Sequence, residues 1–382
     1  MKINKVYLFW LIFSLSLIVL ILSFVEILLR REDQKIDLQQ SKEKGLITVF
    51  GSLEQLRKVS HAYSNYELVY EPYLRWKGKP NQSGEVLQTN SSGYRNVEFL
   101  EKKQKNIFRI IITGNSFSWG YGASSNGTTI SGYLEQFLNK FLQTKDKATR
   151  VEVINMADLG YVSLQELILW NTIVSLQPDL VIHLTGYNDA RVELKKQPIL
   201  LIHRFIPESI LQKGKWSVIP SLVRFYTGEL IQGSSIYRRL SQKFSRNNSA
   251  PNSNYIYPSD PEFLSNMRSI AERSVDENIP LIVVLQPTLF TETKPLAEGE
   301  KKILSFYERA DPKSISFVLE KYKQYHTGLL QLAKKYNFIY INGSTFFPEQ
   351  KEQLYIDGSH VSDEGYAIIA KKLATIVKEY LD

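Results

Sequence analysis

From residue 106 onward the chain alternates short apolar runs with amphipathic stretches, and no other feature restricts its fold so strongly. The runs are Phe108–Thr113 (FRIIIT), Val151–Met156 (VEVINM), Asp179–Thr185 (DLVIHLT), Pro280–Leu285 (PLIVVL) and Phe338–Ile341 (FIYI). They are nearly continuous in apolar side chains, the pattern of strands buried on both faces. Between them, Thr129–Leu142, Ser163–Leu176, Pro261–Glu277, Ser316–Lys335 and Asp363–Leu381 repeat apolar residues at three and four, as a helix with one buried face does. Ser362 stands before the last of these as an N-cap. This alternation predicts an α/β fold, a three-layer α/β/α domain with about five parallel strands.

Two connections are longer than α/β loops usually are: an insertion at about 191–260, and Thr288–Lys313. Both leave carboxyl ends of strands, where α/β proteins place ligand sites. Upstream, Tyr66–Phe99 is punctuated by Pro, Gly, Asn and Ser around short β-prone pieces. That predicts irregular structure with a small strand near Glu85–Gln88. The domain is expected over 66–382, with its core at 106–382.

The N-terminus reads differently. Val6–Leu29 is apolar apart from Glu26. As a helix it would rise about 36 Å, enough to cross a hydrocarbon core of about 30 Å. No small-residue cleavage site follows it, so an uncleaved transmembrane anchor over 1–31 is expected, with a polar stalk or linker over 32–65. Lys2 and Lys5 before the span nearly balance Arg30, Arg31 and Lys35 after it, so charge does not orient it.

The net charge of +8 comes from scattered lysines, with no dense basic run and no nucleic-acid recognition motif. Nucleic acid is therefore not an expected partner. The chain has no cysteine, which excludes disulfides, thiolate zinc sites and cysteine nucleophiles.

Residues that could carry chemistry stand where strands end. Ser116, in Gly114-Asn115-Ser116-Phe117-Ser118, follows the first core strand at a strand-to-helix turn. Backbone N–H groups at such a turn can meet developing negative charge; the alternative is a serine that only caps the helix. Asp357 and His360, in Asp357-Gly358-Ser359-His360, precede the last helix. A serine nucleophile needs a base, and the base an orienting carboxylate; one short loop can supply both. Of five histidines, His183 lies inside an apolar strand as a core residue, and His61, His203 and His326 lack such an acidic neighbour. Asn188, in Gly186-Tyr187-Asn188-Asp189, ends the third strand and can donate to an oxyanion or merely shape a turn. Gly160, in Asn155–Gln165, allows close backbone approach or a simple turn.

In this order, each at a strand end, these segments resemble the four blocks of the SGNH/GDSL hydrolase superfamily. The resemblance covers about residues 85–382. Asn90-Ser91-Ser92-Gly93-Tyr94-Arg95 also resembles a segment that precedes the first block in membrane-anchored members. The resemblance implies a flavodoxin-like sheet and an open site. It assigns Ser116 as nucleophile, His360 as base and Asp357 as orienter, with the Ser116 N–H, the Gly160 N–H and the Asn188 side chain as oxyanion donors. No metal or organic cofactor is implied. One departure is Asn115, where the family usually has Asp; this puts local hydrogen bonding in question more than catalysis.

The leading expectation is a membrane-anchored serine esterase or deacylase acting on O-acyl groups of a cell-surface glycan or lipid, its catalytic domain extracytoplasmic as the resemblance implies. An O-acyltransferase on an exported polysaccharide would use the same triad. It would need a multi-span partner to bring the acyl donor across the bilayer. A third reading is a silent glycan-binding protein that keeps the fold.

Overall fold

The computed structural model describes residues 5–145, 148–195, 262–310 and 312–381. The helices are α1 (Lys5–Glu43), α2 (Leu46–Val49), α3 (Leu53–Ser64), α4 (Ser116–Trp119), α5 (Ile130–Thr144), α6 (Ser163–Ser175), α7 (Tyr187–Lys195), α8 (Glu262–Asp276), α9 (Glu298–Ala310), α10 (Pro312–Tyr336) and α11 (Asp363–Val377). The strands are β1 (Leu68–Val69), β2 (Lys77–Gly78), β3 (Ile107–Gly114), β4 (Arg150–Asn155), β5 (Leu180–Thr185), β6 (Leu281–Leu285) and β7 (Ile339–Asn342).

Five of the strands form one parallel sheet in the order β4-β3-β5-β6-β7. Counted from β3 this is the order 2-1-3-4-5 of flavodoxin-like sheets. Every residue of β5 and β6 is buried. Successive strand side chains point to opposite faces, so both faces of the sheet are covered. One face sends Ile110, Ile112, Ile182 and Val284 into a core with Leu134 and Leu138 of α5 and Ile369 and Leu373 of α11. Helices α6, α7, α8 and α10 pack among themselves as a second group. The expected α/β architecture with five parallel strands is thus present.

Two expectations differ locally. Glu85–Gln88 forms no strand; the Gln88 amide instead reaches back to the Gly84 carbonyl at 3.1 Å, and the Gln88 N–H donates to Asn126 Oδ1 at 3.3 Å. The small strands lie earlier, where β1 and β2 pair antiparallel. The connection Thr288–Lys313 contains α9, which buries only Gly299, Glu300 and Ile303.

Contacts divide the chain into one unit of residues 1–42 and 202–256 and another of 43–201 and 257–382. In the first, α1 takes in Val6–Leu29 and exposes Phe9, Trp10, Phe13, Ile18, Leu20 and Phe24. Among the described residues no helix is long and apolar enough to cross a membrane. The side chains of Lys5–Leu8, Leu11, Ile12 and Leu15 lie outside the description, as does most of the insertion at 191–260, including Trp216, Arg224, Tyr226, Tyr237, Arg238 and Arg239.

Candidate active site

The site lies at the carboxyl ends of β3, β4 and β5, beside the point where the strand order reverses direction. The turn after β3 is tight. Gly114 has φ 141°, and a Cβ there would strike the Leu184 carbonyl on the neighbouring strand. Asn115 caps α4 by accepting from the Phe117 N–H at 2.9 Å. Ser116 therefore begins α4 at the edge of the sheet.

The structure brings Ser116, His360 and Asp357 together. Ser116 Oγ is 2.8 Å from His360 Nε2, and His360 Nδ1 is 2.7 Å from Asp357 Oδ2. A carboxylate only accepts, so Nδ1 carries the proton, and in the neutral ring Nε2 is left to accept from Ser116. The second carboxylate oxygen, Oδ1, accepts the N–H groups of Ser359 and His360, each at 2.8 Å. Burial raises the Asp357 pKa, but the His360 ring and these two N–H groups outweigh it and hold the carboxyl below its ordinary value.

Gly160 and Asn188 end the two strands that flank β3. Gly160 adopts φ 76° in the turn after β4. Among the described residues, the N–H groups of Ser116 and Gly160 have no acceptor. Asn188, at the start of α7, donates through Nδ2 to the Tyr161 carbonyl at 2.9 Å, which ties it to the Gly160 turn and leaves its second amide hydrogen for another acceptor. Asp189 instead accepts from Ser163 Oγ at 2.5 Å and from the Ser163 N–H, capping α6.

Three residues at the site were not singled out from the sequence. Gln286, just past β6, joins Asn115 to the Ser359 carbonyl through bonds of 2.7 and 2.8 Å. Its signal was visible: Gln286 directly follows the fourth apolar run, as Asn115 and Ser116 follow the first. Tyr121 sets its ring 4.6 Å from the His360 ring, and its carbonyl accepts from Tyr366. Arg95, in the Asn90–Arg95 segment, is buried and donates to the carbonyls of Gly120, Val86 and Ser125 with its guanidinium 4.7 Å from the Trp119 ring. It braces the loop that follows α4. His183 is a core residue as expected; its Nδ1 meets Glu166 at 2.9 Å and Thr113 at 3.4 Å, and among the described residues its Nε2 has no hydrogen-bond partner.

No family model and no curated protein matches the chain. Solved structures similar to it include the acetyl xylan esterase AlAXEase, at 14% identity, covering 70% of this chain and 99% of that one, with a TM-score of 0.39. Another is a catalytic mutant of Axe2, an acetylxylan esterase from Geobacillus stearothermophilus, at 15% identity, 70% and 92% coverage and a TM-score of 0.40. A third is LAE5, an alpha/beta hydrolase enzyme from the metagenome of Lake Arreo, Spain, at 13% identity, 70% and 94% coverage and a TM-score of 0.38. Likeness at this level carries no argument about chemistry, which rests on the geometry above.

Proposed function

We propose that the chain is a serine esterase of the SGNH/GDSL type that removes O-acyl groups from a cell-surface glycan or lipid. The observation that carries this reading is the unbroken relay from Ser116 Oγ through His360 to Asp357, at 2.8 and 2.7 Å. Ser116 attacks the acyl carbonyl while His360 Nε2 takes its proton. The tetrahedral oxyanion is met by the N–H groups of Ser116 and Gly160 and by Asn188 Nδ2. Collapse expels the alcohol, which receives the proton from His360, and leaves an acyl-enzyme. His360 then activates water, and the carboxylic acid departs. Asp357 keeps the ring in the tautomer this requires. The scheme needs no metal or organic cofactor.

The apolar text of Val6–Leu29 within a continuous helix, with Phe9, Trp10 and Phe13 exposed, supports a single-pass membrane anchor, and the resemblance to membrane-anchored members implies an extracytoplasmic catalytic domain. Removal of residues 1–35 is expected to release the chain from membranes.

The reaction is tested by incubating the purified protein with a simple acetyl ester, with and without oligosaccharides. Free acid is expected in both, with little acyl transfer. Efficient acylation of the oligosaccharide with negligible hydrolysis in its absence would replace the esterase reading by the transferase.

A further inference from the structure

The loop that carries Gly160 is held from outside the α/β core. Asp158, buried two residues before Gly160, accepts from the Gly78 N–H at 2.6 Å, from Tyr66 Oη at 3.2 Å and from its neighbour Leu159 N–H at 2.7 Å. The Leu159 carbonyl accepts from the Trp76 indole at 2.8 Å. Tyr161 Oη closes the ring of contacts by donating to the Trp76 carbonyl at 2.8 Å. Trp76 is buried, and its ring centroid lies 6.0 Å from that of Tyr161. Residues on both sides of Gly160 are thus tied to Tyr66–Gly78, and Tyr161 is also the acceptor that orients Asn188.

We propose that the segment Tyr66–Gly78 is a positioning element for catalysis, setting the Gly160 turn through Asp158, Leu159 and Tyr161 so that the Gly160 N–H and Asn188 converge on the oxyanion. The proposal rests on the reading of those two groups as oxyanion donors. A left-handed glycine turn between a strand and a helix has several accessible conformations. Fixing it beforehand spares the reaction the cost of ordering it. Packing alone would be served by the rings; the hydrogen bonds hold the Leu159 carbonyl directly, and Asp158 and Tyr161 through their side chains.

The test uses the full chain, a chromogenic acetyl ester, and a fluorophosphonate run to completion to count competent sites. Trp76→Phe keeps a ring in place and removes the donor to Leu159. Tyr66→Phe removes the donor to Asp158. Each is expected to lower kcat per titrated site about 10-fold with KM unchanged, the signature of a displaced oxyanion donor. If either variant fails to fold, Tyr161→Phe cuts the remaining tie and is read in the same way. A role in folding alone would reduce the number of titrated sites and leave kcat per site intact, and that result would overturn the proposal. Ser116→Ala separates the two readings. If it retains activity, the serine mechanism itself falls. If it abolishes activity while the ring variants keep full kcat per site, only the positioning role falls.

Discussion

Asn115 donates its side-chain amide to the side-chain carbonyl of Gln286 at 2.7 Å, and both residues are buried. The direction is fixed by the Phe117 N–H, which needs Asn115 Oδ1 as its acceptor. The Gln286 amide is then left to donate to the Ser359 carbonyl. An aspartate at 115 could not donate. Gln286 would have to turn its amide toward the carboxylate, and Ser359 would lose its donor.

Asn115→Asp is therefore expected to destabilise the protein by about 2 kcal/mol, because it leaves one buried acceptor unpaired and adds a buried charge. Urea unfolding at neutral pH measures this. Unchanged stability would mean that Gln286 and Ser359 find other partners at little cost.

Asn188→Ala is expected to lower kcat on the order of 10²-fold with little change in KM, since its donor matters most once charge has formed on the substrate. Steady-state kinetics on a simple ester report both constants. A loss confined to KM would make Asn188 a residue that holds the substrate in its ground state.

These residues differ in how far their text announces them. Ser116, Gly160, Asn188 and Gln286 each follow an apolar run, so their common edge follows from a parallel sheet. Their pairing does not. Gln286 and Asn115 meet across the end of β5, which lies between β3 and β6, an order that periodicity cannot supply. The strands themselves were legible because burial on both faces leaves unbroken runs such as Ile110–Ile112 and Val181–Ile182. Helix α9 was not, since its fully buried positions are Gly299, Glu300 and Ile303, a single large apolar side chain among them. The bracing by Trp76 and Arg95 was hidden for another reason: both bond mainly to backbone carbonyls, which carry no sequence signal.

Asp158 provides a pH test. Burial raises its carboxyl, the N–H groups of Leu159 and Gly78 and the Tyr66 hydroxyl oppose this, and the net value is pushed up from 3.8 to about 7. The titratable neighbours that feel its charge are Tyr66, Tyr94 and Tyr161, with Glu71 and Arg95 acting on these tyrosines. Between the two values the native state holds a proton that the unfolded chain has lost. Stability is thus full below about pH 4 and falls as pH rises to about 7, by about 4 kcal/mol from this group alone. Asp158→Asn is expected to flatten that decline in urea unfolding measured across pH 4.5–8. Equal slopes in the two proteins would place the carboxyl near its ordinary value.

The relay from Ser116 to Asp357 is tested most directly by chemical labelling. A fluorophosphonate is expected to modify the protein at Ser116, identified by peptide mass spectrometry. Ser116→Ala should abolish the label, and His360→Ala should slow it by about 10³-fold or more, because the hydroxyl then has no base. Labelling at a different serine, or labelling undiminished in Ser116→Ala with the fold intact, would contradict the assignment.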